Sequence, residues 1–115
     1  MSRATGERGV ARRRQHAAMF AALGDETRLA LIGTLSGGEP QSIAQLTVGT
    51  SLTRQAVTKH LRVLQGAGIV HGERSGRETQ FRFNPEPMSE LREYLTRVSE
   101  QWDRVLGRLK TFVES

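Results

Sequence analysis

The stretch SLTRQAVTKHLRVLQGAGIV, residues 51–70, decides the fold. Thr53 is suited to cap a helix that runs over residues 54–65, and the glycines that follow are suited to end it. Apolar residues recur within this helix at spacings of four and three, which places them on one face: Val57, Leu61 and Leu64. The pattern predicts an amphipathic helix whose apolar face is buried.

The opposite face of the same helix is polar and basic, and it contains no acidic residue: Arg54, Gln55, Thr58, Lys59 and Arg62. Arginine and lysine suit the O6 and N7 atoms of guanine or phosphate oxygens, glutamine suits adenine, and threonine offers a hydroxyl or a methyl group. This chemistry is that of a DNA base reader. A basic solvated face is the alternative, because amphipathic helices of this kind are common.

Three helices are predicted before this one. The first covers residues 11–23, the second is capped by Asp25 and extends to Leu35, and the third is short and capped by Ser42. Two short helices joined by a tight turn form a helix-turn-helix, whose second helix enters the DNA major groove. Ser42 is therefore a cap and also a candidate phosphate contact, since a helix N-terminus attracts anions.

After residue 69 the periodicity changes from that of a helix to that of strands. Thr79, Phe81 and Phe83 alternate with polar residues, and a turn at residues 75–77 precedes them. A β-hairpin over residues 70–84 is predicted. A hairpin that follows a helix-turn-helix in this way is called a wing. Arg74 and Arg77 flank its tip, where they can reach phosphates or a minor groove, and a solvated turn is the alternative.

The last predicted helix covers about residues 87–113. Its apolar residues are spaced alternately by three and four: Met88, Leu91, Leu95, Val98, Trp102, Val105, Leu109 and Phe112. This heptad pattern extends over about 37 Å of helix and is typical of a seam shared with a partner helix. We expect a homodimer with Phe20, Leu91, Leu95, Val98, Trp102, Val105 and Leu109 at its interface. The alternative is that the whole seam is intramolecular core.

Composition limits the class of protein. The chain has 115 residues, 37% of them hydrophobic, which suits one compact domain, and its net charge is +5. The charge is +4 over residues 1–16 and again +4 over residues 51–84, which favours a polyanionic partner, with double-stranded DNA first. Residues 1–12 are predicted to be a basic flexible arm, and residues 13–115 the winged-helix domain.

Several classes are disfavoured by what the sequence does not contain. There is no cysteine, no apolar run of about 20 residues, and no arrangement of residues typical of an enzyme. We therefore expect a protein of the cytoplasm, associated with the nucleoid, that is not an enzyme and does not contact membranes.

Two segments together resemble the ArsR-type (ArsR/SmtB) winged-helix repressors of bacteria. They are ALGDETRLALI at residues 22–32 and LTRQAVTKHLRVLQGAGIV at residues 52–70, and matching continues through residues 76–83. The resemblance implies a mainly α fold with a small β-hairpin, in the order α1-α2-α3-α4-β-β-α5. It also implies a homodimeric repressor on an inverted-repeat operator near a promoter. His60 is then a partly buried support, and Arg28 an internal ion-pair or carbonyl donor.

The resemblance is closer to the branch of the family that does not use metals. Metal-sensing members use cysteines on the third helix, or aspartate, histidine and glutamate on the last helix, and this sequence lacks both sets. We expect no metal and no cofactor. A small-molecule effector could lodge among Met19, Phe20, Tyr94 and Trp102, which as readily form plain interface core.

Two further readings stay open beside a sequence-specific regulator. One is a non-specific nucleoid or architectural DNA-binding protein, which the high pI and the arginine-rich N-terminus favour. The other is a protein-interaction winged helix whose last helix binds a different partner.

Overall fold

The computed structural model describes residues 2–114, with side chains described from residue 6 onward. The described residues form five helices and three short strands. In chain order they are α1 (Ser2–Leu23), α2 (Glu26–Leu35), β1 (Gln41–Ser42), α3 (Ile43–Val48), α4 (Arg54–Gly66), β2 (Val70–Ser75), β3 (Glu78–Phe83) and α5 (Pro85–Glu114). The fold is mainly helical with a small antiparallel sheet, which confirms the predicted winged helix-turn-helix class. The chain divides into two compact units, one ending at Pro85 and the other formed by α5 from Glu86.

The sheet has one strand more than the predicted hairpin. Its order is β1-β3-β2, all antiparallel, and β1 joins it by pairing Gln41 with Phe81 and Ser42 with Gln80. A strand of two residues has no alternating pattern that sequence can reveal, so only its pairing with the edge of β3 identifies it. The hairpin of β2 and β3 has its turn at Gly76, whose φ of 63° is the left-handed conformation that glycine adopts without strain.

The three predicted helix caps are confirmed. Asp25 accepts a hydrogen bond from the Arg28 amide at 3.0 Å, Ser42 accepts one from Gln45 at 3.2 Å, and Thr53 accepts one from the backbone of α4 at 3.1 Å. Gln45 also returns a bond, because its Oε1 accepts from the Ser42 amide at 2.8 Å and completes a capping box. Each such cap stabilises its helix by about 1 kcal/mol.

The first helix begins earlier than its sequence pattern indicates. The predicted start was residue 11, whereas α1 begins at Ser2 and so includes most of the segment predicted as a flexible arm. Gly6 and Gly9 weaken the helical pattern by about 1 kcal/mol each, but alanine, arginine and glutamate around them are good helix formers. The mobility of residues 1–12 stays a prediction, and Met1 lies outside the described residues.

The core of the first unit joins its helices to the sheet. Its buried apolar side chains are Met19, Ala22, Leu31, Leu35, Leu46, Val57, Leu61, Leu64, Ile69, Val70 and Phe81. The three residues predicted for the buried face of α4 are all in this set. Burial of that face fixes the direction of the opposite face of α4, which points to solvent.

Taken by itself, α5 is a single helix of 30 residues, as its heptad pattern predicts. It starts at Pro85, a residue suited to the first helical position because its missing amide hydrogen has no partner there anyway. Large apolar side chains are exposed along its length: Leu95, Trp102, Val105, Leu106, Leu109, Phe112 and Val113. Three predicted seam residues are less exposed: Leu91 is 2% exposed, and Met88 and Val98 are half-buried.

Candidate nucleic-acid interface

The turn of the helix-turn-helix is held by its own threonine. The Thr50 hydroxyl donates to the Thr47 carbonyl oxygen at 3.0 Å and accepts from the Leu52 amide at 3.2 Å. These bonds connect the end of α3 to the residue before the cap of α4. The angle between the two helices is thereby set by local hydrogen bonds as well as by the core.

The outward face of α4 presents the predicted base-reading side chains. Arg54, Gln55, Lys59 and Arg62 are exposed. Thr58 is half-buried, and its hydroxyl donates to the Arg54 carbonyl oxygen at 2.7 Å, so the oxygen lone pairs and the methyl group remain for contact with a base. The helix carries no carboxylate, so none of its side chains would repel a phosphate or the electronegative edge of a base.

The wing adds two cations at its tip. Arg74 and Arg77 are both exposed, on either side of the Gly76 turn. Their positions follow from the register, in which Arg74 lies opposite Thr79 and Ser75 lies opposite Glu78. Long cationic side chains at a hairpin tip are able to follow a phosphate backbone.

Ser42 lies in a different environment from the other predicted contacts. It is only 5% exposed, it pairs with β3 through β1, and its hydroxyl is the acceptor of the capping box. Its interpretation as a cap is confirmed. A contact between Ser42 and a phosphate stays a prediction, and burial of its side chain disfavours it.

Arg28 connects three helices of the first unit. Its Nε donates to the Ala22 carbonyl oxygen at the end of α1, and its Nη1 lies 3.2 Å from His60 Nδ1 on α4. Because a guanidinium only donates, the hydrogen bond between them uses His60 Nδ1 as the acceptor. The predicted roles, carbonyl donor for Arg28 and partly buried support for His60, are confirmed.

Asp25 completes this group of residues. Its Oδ2 lies 3.8 Å from His60 Nδ1, and it caps α2 through the Arg28 amide. That hydrogen bond from the Arg28 amide, and then the guanidinium charge, hold the pKa of Asp25 below its ordinary value despite some desolvation. The carboxylate is therefore charged at neutral pH.

A second polar cluster lies at the base of the wing, and sequence reasoning missed it. His71 Nδ1 is 2.5 Å from Asn84 Oδ1, and His71 Nε2 is 2.9 Å from Glu73 Oε1. The alternation of a strand places His71 and Glu73 on one face, which the sequence could have shown. Asn84 is 13 residues away from His71, and only the strand register brings it there.

Comparison with known proteins agrees with this geometry. Residues 23–73 match a family described as a helix-turn-helix domain. The uncharacterized HTH-type transcriptional regulator YuzN of Bacillus subtilis is 40% identical over 80 residues, which cover 64% of this chain and 87% of that protein. The structure of an ArsR-like transcriptional regulator from Rhodococcus sp. RHA1 is similar with a TM-score of 0.76 and 34% identity, covering 89% of this chain and 95% of that one.

The chain belongs to the ArsR family of helix-turn-helix transcriptional regulators. The fold likeness extends to Mb0332 of Mycobacterium bovis, a possible ArsR-family regulator. Its winged helix-turn-helix DNA-binding domain was solved as a homodimer, with a TM-score of 0.67 and 19% identity, covering 84% of this chain and 90% of that one. At that identity the likeness shows the fold alone.

Residues 2–114 of this ArsR-family protein present neither a metal-binding cluster nor a helix suited to crossing a membrane. No group of three or more histidine, cysteine, aspartate or glutamate side chains within that range is placed to hold a metal ion. None of the helices in the same range is long and apolar enough to cross a membrane.

Replacing Arg28 with alanine is expected to lower the free energy of unfolding by about 1–3 kcal/mol. The substitution leaves the Ala22 carbonyl oxygen and His60 Nδ1, both part-buried, without their donor. Urea denaturation of the two proteins measures the difference. Arg8→Ala is the control, because Arg8 is an exposed arginine of α1, and its loss should change stability by less than about 0.5 kcal/mol. Equal stability of Arg28→Ala and the parent would contradict the proposed role of this contact.

Proposed function

We propose that the protein is a homodimeric repressor that binds an inverted-repeat operator near a promoter. Helix α4 enters the major groove, and the wing over residues 70–84 contacts the backbone or the minor groove. One observation carries this proposal. The exposed face of α4 has basic side chains and a glutamine amide but no carboxylate, and it points to solvent because Val57, Leu61 and Leu64 bury the opposite face.

The proposed contacts fall into two kinds. Base reading is assigned to the exposed face of α4, that is to Arg54, Gln55, Thr58 and Lys59, with Arg62 beside them at a phosphate. Positioning on the backbone is assigned to Arg74 and Arg77 of the wing. The buried Ser42 acts in this proposal through its cap, which holds α3 behind α4.

The proposed dimer interface consists of apolar side chains that are exposed to solvent in the single chain. Leu95, Trp102, Val105 and Leu109 of α5 are exposed, as is Phe20 of α1, with Val98 half-buried among the α5 residues. Exposed apolar side chains at heptad spacing are typical of a helix whose partner is another chain. Mb0332, which has a similar fold, is itself a homodimer. Leu91 is 2% exposed in the single chain, and its place at the interface stays a prediction.

The proposal is tested by binding the purified protein to DNA from upstream of its own gene and to random DNA of equal length. At about 150 mM salt with competitor, we expect a preference of roughly a thousandfold or more for a specific site. Equal affinity for both DNAs would leave two readings, an architectural protein with steep salt dependence or a repressor whose operator lies elsewhere in the genome, and a genome-wide selection of bound fragments would distinguish them. Absence of any tight DNA complex would point to the protein-interaction reading.

Arg54→Ala is expected to weaken binding to the operator by about 1–3 kcal/mol and to relax sequence preference at one base position, because an arginine pairs with guanine through two hydrogen bonds. Fluorescence anisotropy against an operator and its single-base variants measures both effects. Arg97→Ala, which removes an exposed arginine of α5, is the control.

Arg77→Ala provides the contrast to Arg54→Ala. A phosphate contact carries no sequence information, so its loss should weaken all duplexes alike and reduce the salt slope by about one. If Arg54→Ala lowers affinity equally for operator and random DNA, Arg54 is a phosphate contact and the assignment of base reading to it is wrong.

A further inference from the structure

The polar cluster at the base of the wing determines the protonation state of His71. Asn84 Nδ2 donates to the Gly68 carbonyl oxygen at 2.9 Å, which fixes the amide so that its Oδ1 faces the imidazole. Glu73 presents a carboxylate oxygen to the other ring nitrogen. A neutral imidazole donates at one nitrogen only, whereas the imidazolium donates at both. Both bonds are satisfied only when His71 is charged.

The charged groups around His71 are known from the sheet register. Glu73 follows on β2, and Arg82 lies directly opposite on β3. The hydrogen bond with Glu73, and then the one with Asn84, raise the pKa of His71 above its ordinary 6.5, although desolvation and Arg82 oppose them. The same bond with His71 and the charge of Arg82 lower the pKa of Glu73 below 4.5.

The cluster lies at the connection between α4 and the wing. Gly68, with a φ of 78°, turns the chain from the end of α4 into β2. Asn84 holds this turn with two hydrogen bonds. Its side-chain Nδ2 donates to the Gly68 carbonyl oxygen, and its backbone amide donates to the Ile69 carbonyl oxygen at 2.9 Å. His71 in turn holds Asn84. His71 is therefore one of the contacts that hold the hairpin at its junction with α4.

We propose that His71 is a positioning residue for DNA binding: as an imidazolium clamped between Asn84 and Glu73, it fixes the wing relative to α4, and its deprotonation loosens the wing and weakens the complex. The inference rests on the proposed function and adds a dependence on pH near neutrality. His71 does not touch DNA in this proposal and acts through the position of Arg74 and Arg77.

The direction in which pH changes the stability of the cluster follows from the pKa shifts of His71 and Glu73. Because the folded pKa of His71 is raised, its stabilising contribution is fully present below about 6.5 and is lost as the pH rises through the folded value. The contribution of Glu73, whose folded pKa is lowered, is present above about 4.5 and is lost only in more acid solution. Both contributions are fully present together between about pH 4.5 and 6.5.

The protonation of His71 is tested first, by a pH titration of the histidine side-chain nitrogens with ¹⁵N NMR on the full chain. We expect the titration midpoint of His71 to lie above its ordinary 6.5, with both nitrogens protonated below that midpoint, and Glu73→Gln to lower the midpoint. Glu78→Gln is the matched control, because it removes a carboxylate from the same hairpin at the tip, opposite Ser75. A His71 that titrates at or below its ordinary value, or equally in both variants, would overturn the inference.

The positioning role is tested with a duplex selected from a random-sequence pool by the parent protein. Between about pH 6 and 8.5, affinity should fall by about threefold to tenfold in the parent, as expected for loss of one hydrogen bond of ordinary net strength. His71→Gln retains His16 and His60 but has no imidazole at the clamp, so its affinity should be low at both pH values and vary less between them.

The two tests separate failure of this inference from failure of the proposed function. Identical pH profiles for the parent and His71→Gln would refute the positioning role even if a duplex is bound specifically. A selection that returns no preferred duplex would refute the proposed function and with it the DNA part of the inference. The nitrogen titration would then still decide whether His71 is held as an imidazolium.

Discussion

Trp102→Ala is expected to lower operator affinity by about a hundredfold or more. Trp102 is 61% exposed in the single chain and lies in the middle of the heptad seam, where aromatic side chains contribute most to an interface. If its loss dissociates the dimer, each subunit binds one half-site alone and the gain from linking two binding modules disappears, which is about 10²–10⁴ in affinity. Sedimentation gives the oligomeric state, and anisotropy with two-half-site and one-half-site duplexes gives the affinities.

Gln101→Ala is the control for this experiment. Gln101 is the exposed polar neighbour of Trp102 on α5 and is outside the seam, so the variant should remain dimeric and bind the operator like the parent. The affinity for a duplex with one half-site should be the same for all three proteins. A Trp102→Ala protein that sediments as a stable dimer would show that the interface lies elsewhere.

Leu61→Ala is expected to lower the free energy of unfolding by about 2–5 kcal/mol, the usual effect of truncating a fully buried leucine. Leu61 has 0% exposure and lies on the buried face of α4, opposite the exposed basic face. A domain of this size has only about 5–15 kcal/mol of stability in total, so the loss is a large part of it. Urea denaturation followed by circular dichroism measures the change.

Val63→Ala is the control for Leu61→Ala. It shows whether the loss of stability comes from truncating a buried side chain or from placing alanine anywhere in α4. Val63 is 45% exposed, and its truncation should change stability by less than about 1 kcal/mol. Similar losses in the two variants would mean that Leu61 is not a core residue of the folded protein in solution.

Local signals in the sequence predicted most of the helical framework. Asp25, Ser42 and Thr53 are residues that cap helices by a bond to a backbone amide two or three positions on, and the structure places each of them at a helix start. The buried face of α4 and the length of α5 likewise follow from spacings within one helix. Such features depend on neighbours in the chain, and sequence patterns record them.

Features that depend on distant residues were not visible in the same way. Arg28 meets His60 across 32 positions, and His71 meets Asn84 across 13. The resemblance to the ArsR family indicated supporting roles for Arg28 and His60, but no spacing rule connects the two residues. Nothing in the sequence indicated Asn84, because its contact depends on the register of β2 and β3.

Ser42 is a predicted site residue whose burial depends on a strand that the sequence did not predict. The residue was predicted as both a cap and a phosphate contact, and the first role needed only the start of α3. Its burial follows from the pairing of Ser42 with Gln80 on β3. A two-residue strand leaves no periodic trace, so the exposure of Ser42 could not be judged from sequence.

If the proposed dimer forms through the exposed apolar side chains of α5, they also determine how gene control responds to the amount of protein. In a homodimer assembled through α5, dimer concentration varies with the square of monomer concentration wherever monomers predominate. Halving the protein, as cell division without new synthesis does, then reduces the DNA-binding species about fourfold rather than twofold. Regulation through such a helix is steeper than regulation by a monomer, and the strength of the α5 seam sets the threshold.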